Sequence, residues 1–208
     1  MQLAMGRKIN EAYYSRANLS LEDIYRTYEK TISAIDIKYS KEKNKSYGEL
    51  FFACSMQDIR EERMKLLSEL EKEMSMASLA CVEAYLRIDF RNRCELKKKD
   101  PLSKLYLEAY KPDKKPYSYS FNDLILQGWK DTYLQGKDRL VNQVNEFFVV
   151  YRHWLAHGRY WKLGQPESKF DYYSVYCVLK EFIHTIELDL MEVRPEDVLF
   201  KSKEHSEI

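Results

Sequence analysis

The sequence predicts an all-α protein, a helical bundle of about five helices, and three observations predict it. Apolar side chains recur at steps of three and four over long stretches, the spacing that gathers them on one helix face. Glycine and proline number only six and five, too few for the many turns of an all-β chain. Cap residues stand where the apolar stripes begin, and breakers stand where they end. A chain of 208 residues suits one domain with a sizeable core.

Residues 1–19 carry no clear period and read as a loose N-terminal arm; the domain is expected over residues 20–194. Ser20 begins the first helix, with a hydroxyl cap followed by Glu22 and Asp23 in the first turn, where acids suit the helix dipole. Ile24, Tyr28, Ile32 and Ile35 are its stripe. Lys41 to Gly48 is a polar connection. A long helix is expected from about Gln57 to Arg93, with the stripe Leu67, Leu70, Met74, Ala77, Cys81, Ala84 and Ile88. Its centre, SMASLACVEAY, is rich in small residues that let another helix approach, which places it in the bundle core.

The segment from Lys97 to Ser120 is punctuated by Pro101, Pro112 and Pro116 and dominated by lysine. Its lysines form either a solvated face or a phosphate-binding patch of Lys97, Lys98, Lys99, Lys114 and Lys115, with Tyr106, Tyr117 and Tyr119 available to stack. A short helix is expected over Phe121 to Gly128. The next starts near Lys137, carries the stripe Leu140, Val144, Phe147, Tyr151 and Trp154, and stops at Gly158. The last carries Tyr172, Val175, Leu179, Phe182, Ile186 and Leu190. Residues 195–208, from Pro195 onward, read as a charged tail that frays.

The net charge of +1 supplies no global field toward nucleic acid or membrane, so any such binding rests on local patches. No apolar run approaches the length that spans a bilayer, so no membrane partner is expected. Cys54, Cys81, Cys94 and Cys177 include no C-x-x-C pair, and the first residues show no export leader. These features make the cytosol the expected compartment.

The chemistry concentrates in YRHWLAHGRYW, Tyr151 to Trp161. On an ideal helix Arg152 and His157 sit about 140° apart and flank the apolar stripe where the helix meets a neighbour. His153 and His157, four apart, share a face. Three readings fit these residues: an Arg and a His packed at a helix edge, a histidine pair for zinc, or a site for phosphate chemistry. The zinc reading lacks further ligands, because no His-Glu-x-x-His pattern is present and His184 is the only other non-terminal histidine.

RHWLAHG resembles the motif of HEPN domains (higher eukaryotes and prokaryotes nucleotide-binding), an Arg and a His separated by four to six residues. The extended stretch and the upstream SLACVEAYLRIDFRNRCELKKKDPLS resemble a bacterial HEPN subfamily of the RNase LS and anti-phage type, over roughly Met74 to Leu190. The resemblance implies an α-helical bundle that cuts RNA without a metal or other cofactor. It implies a composite site in a homodimer and a place in a toxin–antitoxin or defence system, with an antitoxin or defence-system protein as partner. Arg152 and His157 are then the catalytic pair. Glu83, Arg87, Asp89, His153 and Tyr160 are auxiliary candidates, and Lys97, Lys98, Lys99 and Arg159 are candidates for holding RNA. The alternative is a non-catalytic HEPN module that binds nucleotide, RNA or a protein. Two positions depart from the family pattern: His153 stands where many members have Asn, and Arg159 where one toxin branch has a modified Tyr.

The residue types suit the reaction. RNA brings its own nucleophile, the 2′-hydroxyl. Histidine is the side chain that takes and returns protons near neutral pH, and well-placed acid–base groups contribute about 10²–10⁴-fold in rate. Arginine is always charged and can hold two phosphate oxygens.

Overall fold

The computed structural model describes residues 19–189 apart from Asp113. The N-terminal arm before Leu19, Leu190 and the tail from Pro195 lie outside the described residues. Among the described residues the chain is all-α with no strand.

Four long rods alternate in direction. Helix α1 (Leu21–Lys38) is capped by Ser20, whose hydroxyl accepts from the Asp23 N–H at 3.0 Å, as the sequence predicts. Past the short α2 (Tyr47–Leu50), α3 (Met56–Glu95) opens on a reciprocal capping box between Ser55 and Asp58. The Cys81 thiol donates to the Leu19 carbonyl at 2.9 Å, and Arg63 meets Asp36 at 2.7 Å, so α1 runs antiparallel to α3. Helix α8 (Tyr172–Asp189) runs antiparallel to α1, with Tyr25 stacked on Tyr176 and Tyr28 against Tyr172.

The remaining rod is continuous but mixed: α6 (Asp138–Asn145), a π-helical turn (Glu146–Tyr151) and α7 (Arg152–Ala156). It runs antiparallel to α8, through Arg139–Glu181 at 3.1 Å at one end and Tyr151 stacked on Phe170 at the other. Helices α4 (Pro101–Ala109) and α5 (Gln127–Tyr133), with a π turn over Phe121–Leu126 leading into α5, pack beside the C-terminal half of α3. The α8 stripe Tyr172, Val175, Leu179, Phe182 and Ile186 is wholly buried, and Leu140, Val144, Phe147, Tyr151 and Trp154 line the core from the mixed rod.

Several expectations are corrected. The buried line of α3 is Ser75, Ser78, Leu79, Val82, Tyr85, Leu86, Asp89, Phe90 and Arg93, one residue on from the predicted stripe, of which only Leu70 is buried. Helices α1, α4, α7 and α8 and the π turn over Phe121–Leu126 surround α3, so it buries a wide arc. That arc includes Ser, Asp and Arg side chains that a hydrophobic count passes over. Met74, Ala77 and Cys81 form its half-buried flank.

The lysine-rich segment contains α4, started by Asp100 as cap and Pro101 at the first turn. Tyr106 and Tyr119 are therefore core residues, not stacking platforms, whereas Tyr117 is exposed. The helix expected to stop at Gly128 continues to Tyr133. Gly128 is there for close approach, since a Cβ would lie 2.6 Å from Tyr106 Cε1.

Candidate functional site

The π turn sets the position of Arg152. It ends with the Arg152 N–H bonded to the Phe147 carbonyl five residues back, so the following turn is rotated relative to an unbroken α-helix. Arg152 then points across to α3. Its Nη2 pairs with Oε2 of Glu83, whose side chain is only 12% exposed. The other oxygen of Glu83 accepts from Arg87 Nε at 2.7 Å. Arg87 is itself fixed, with Nη1 donating to the Tyr119 carbonyl at 3.0 Å and its guanidinium 5.5 Å from the Phe121 ring centroid. One carboxylate between two guanidiniums leaves a local excess of positive charge. The Arg152 side chain stays 29% exposed, with donors to spare beyond the one on Glu83.

His157 is the C-cap of α7, with its N–H on the His153 carbonyl at 3.1 Å. Gly158 follows at φ +81°, and the Arg159 N–H returns to the Trp154 carbonyl at 3.1 Å. This is the left-handed stop that the glycine predicts. The Trp154 indole N–H donates to the Trp161 carbonyl at 2.7 Å and folds the next loop back onto the helix.

His157 is exposed, which corrects its expected seat at a helix–helix contact. The ideal-helix angle does not hold across a helix end. Its ring lies 4.2 Å from that of His153, which in turn is 5.5 Å from Trp161. Tyr160 packs edge-on to Trp161 and is 83% exposed.

The structure divides the other candidates. Arg159 sits beside the motif but is tied to Glu69 at 2.6 Å, and its hydrogen bond holds the Glu69 carboxyl below the usual range. Asp89 is committed to Arg93 at 2.6 Å inside the core, where burial pushes its carboxyl up against the pull of Arg93. It does not join the motif. Lys97, Lys98 and Lys99 lie past the far end of α3, roughly 20 Å along the helix from Glu83. Lys98 is half-buried there, and burial pushes its ammonium down. The lysines and the Arg–His motif therefore do not form one patch.

Glu69 had no local signal, because its partner is 90 residues away. Val149 and Val150 are exposed on the outer face of the rod just before Arg152 and carry no sequence signal of it. Two valines within an apolar run look like core until the opposite face is known to be buried. A cleft of about 170 Å³ beside the motif is lined by Glu71, Asp171 and Lys72 and favours no anion.

Among the described residues, no group of three or more His, Cys, Asp or Glu side chains could hold a metal ion. No described helix is long and apolar enough to cross a membrane. Compared with known family models, curated proteins and solved structures, the chain matches none.

Proposed function

We propose that this protein is a metal-independent endoribonuclease of the HEPN type, acting at a composite site in a homodimer. One observation carries the reading: the same helix end presents a guanidinium anchored by a buried carboxylate and an exposed imidazole. His157 takes the proton of the 2′-hydroxyl. The 2′-oxygen bonds to phosphorus, and the bond from phosphorus to the 5′-oxygen breaks. The leaving oxygen takes a proton from the protonated imidazole, the imidazolium, of a second copy. Arg152 offsets the charge gathered on the phosphoryl oxygens, and Glu83 and Arg87 hold it in place. The products are a 2′,3′-cyclic phosphate and a 5′-hydroxyl.

One chain has a single histidine in this role, which is why a second copy is required. Val149 and Val150 give the outer face of the rod an apolar strip where two copies would meet. Tyr160 and Trp161 beside the histidines suit unpaired bases, so single-stranded RNA is the expected substrate. The place in a bacterial toxin or defence system, with an antitoxin or similar partner in the cytoplasm, rests on the family resemblance alone.

The Glu83–Arg152 pair also favours a second reading, a non-catalytic module whose arginine is structural. Purified protein is tested on single-stranded RNA, on DNA of the same sequence, and on RNA with one 2′-deoxy sugar. Cleavage that spares DNA and the deoxy position, with a cyclic phosphate on the product, supports the enzyme. A 5′-phosphate product or normal cutting at the deoxy sugar overturns the mechanism. Binding without turnover selects the module.

A further inference from the structure

His153 and His157 stand side by side at the exposed end of α7, with ring centroids 4.2 Å apart. The geometry points to a bidentate site for a borderline divalent transition ion such as Ni²⁺, Cu²⁺ or Zn²⁺, held by these two imidazoles and completed by water. Small ring rotations bring one nitrogen of each to the usual metal–nitrogen distance of about 2.0–2.1 Å. Both rings are exposed, so little desolvation opposes binding.

The backbone beneath the pair is pinned. The left-handed stop at Gly158 and the Trp154–Trp161 hydrogen bond fix the end of the helix. The last carbonyls of α7 place the negative end of the helix dipole beside the site. Of the two cations nearest along the chain, Arg152 is paired with Glu83 on α3, and Arg159 is drawn aside by Glu69 at 2.6 Å. No third protein ligand joins among the described residues, so the ion is exchangeable rather than structural. Imidazole ligands and the general order of affinities favour Cu²⁺ and Ni²⁺ over Mn²⁺, and hard Mg²⁺ is excluded by ligand type.

The consequence for activity rests on the proposed ribonuclease. An imidazole bound to metal has no lone pair left to take a proton, so the ion would inhibit. The site itself is tested without activity. Ni²⁺ is titrated into the full chain under a non-thiol reductant, and tryptophan emission is followed, since Trp161 lies 5.5 Å from His153. Saturable quenching at micromolar Ni²⁺ is expected, with one ion per chain by calorimetry and reversal by EDTA.

His153→Gln and His157→Gln should each weaken binding by about tenfold or more, since even the loss of a ligand's supporting partner costs 10–100-fold. Circular dichroism checks that both variants keep the fold. Equal affinity in His153→Gln and wild type overturns the site. So does loss of binding in a Cys54→Ser/Cys177→Ser variant, which removes the two exposed thiols. A Ni²⁺-saturated protein that still cleaves RNA at full rate refutes His157 as the proton carrier and leaves the metal site standing.

Discussion

Glu83 holds Arg152 with one carboxylate oxygen and Arg87 with the other, so a single acid on α3 sets the position of the motif arginine. The two motif residues thus differ in kind. Arg152 is anchored and partly buried, whereas His157 is exposed, with its ring against His153.

Arg152→Ala and His157→Ala are each expected to lower RNA cleavage by about 10²-fold or more. The double variant should be no worse than the stronger single one, because the residues act as a unit. Far-ultraviolet circular dichroism should show unchanged helix content. Additive losses in single-turnover cleavage would count against a shared step.

Cleavage should persist in excess EDTA, since no step draws on a metal. Activity lost in EDTA and restored by Zn²⁺ would refute the mechanism.

Val150→Asp puts a charge on the exposed apolar strip beside Arg152. It should yield a folded monomer, by sedimentation at micromolar concentration, that no longer cuts RNA. A monomeric wild type with full activity would end the composite-site reading.

Gly128→Ala should destabilise the fold by about 1–3 kcal/mol, the usual cost of overpacking. The added methyl would lie 2.6 Å from Tyr106, which is fully buried and bonded to the Ile125 carbonyl at 2.7 Å, so the ring has nowhere to retreat. Urea unfolding measures the loss.

The Glu69 carboxyl is lowered by its hydrogen bond from Arg159. A depressed carboxyl contributes its stability above the unfolded carboxylate range and loses it as pH falls through the folded value. The tie that steadies the loop after His157 should therefore stay closed through neutral and mildly acidic pH. A carbon-13 titration of the Glu69 carboxyl should move upward in Arg159→Ala. An unchanged midpoint would show that the pair is not closed in solution.

Helix identity was legible where one face alone is buried. The α8 stripe and the stop at Gly158 follow directly from spacing and from the left-handed backbone that glycine permits. Helix α3 was harder, because neighbours on several sides, α4 among them, bury an arc that includes Ser75, Ser78 and the Asp89–Arg93 pair. A hydrophobic count cannot see a buried ion pair such as Asp89–Arg93, whose two charges neutralise each other one turn apart. At the site, Arg152 and His157 stand out as a pair of chemical types. The ties to Glu83 and Glu69 cross between elements and leave no trace in local spacing.

The π turn over Glu146–Tyr151 has a consequence for the numbering of the rod itself. It accommodates one more residue than an α-turn while keeping the rod continuous. Deleting a single residue there would close the rod up as plain α-helix with its two halves still in phase. Winding all of the residues as plain α-helix would instead re-phase everything downstream by about 100° against everything upstream. Either the buried row from Leu140 to Val144 or the row from Tyr151 to Trp154 would have to leave the core, or Arg152 would swing off Glu83. The turn acts as a vernier: it lets one rod satisfy two angular settings, one demanded by packing and the other by the arginine.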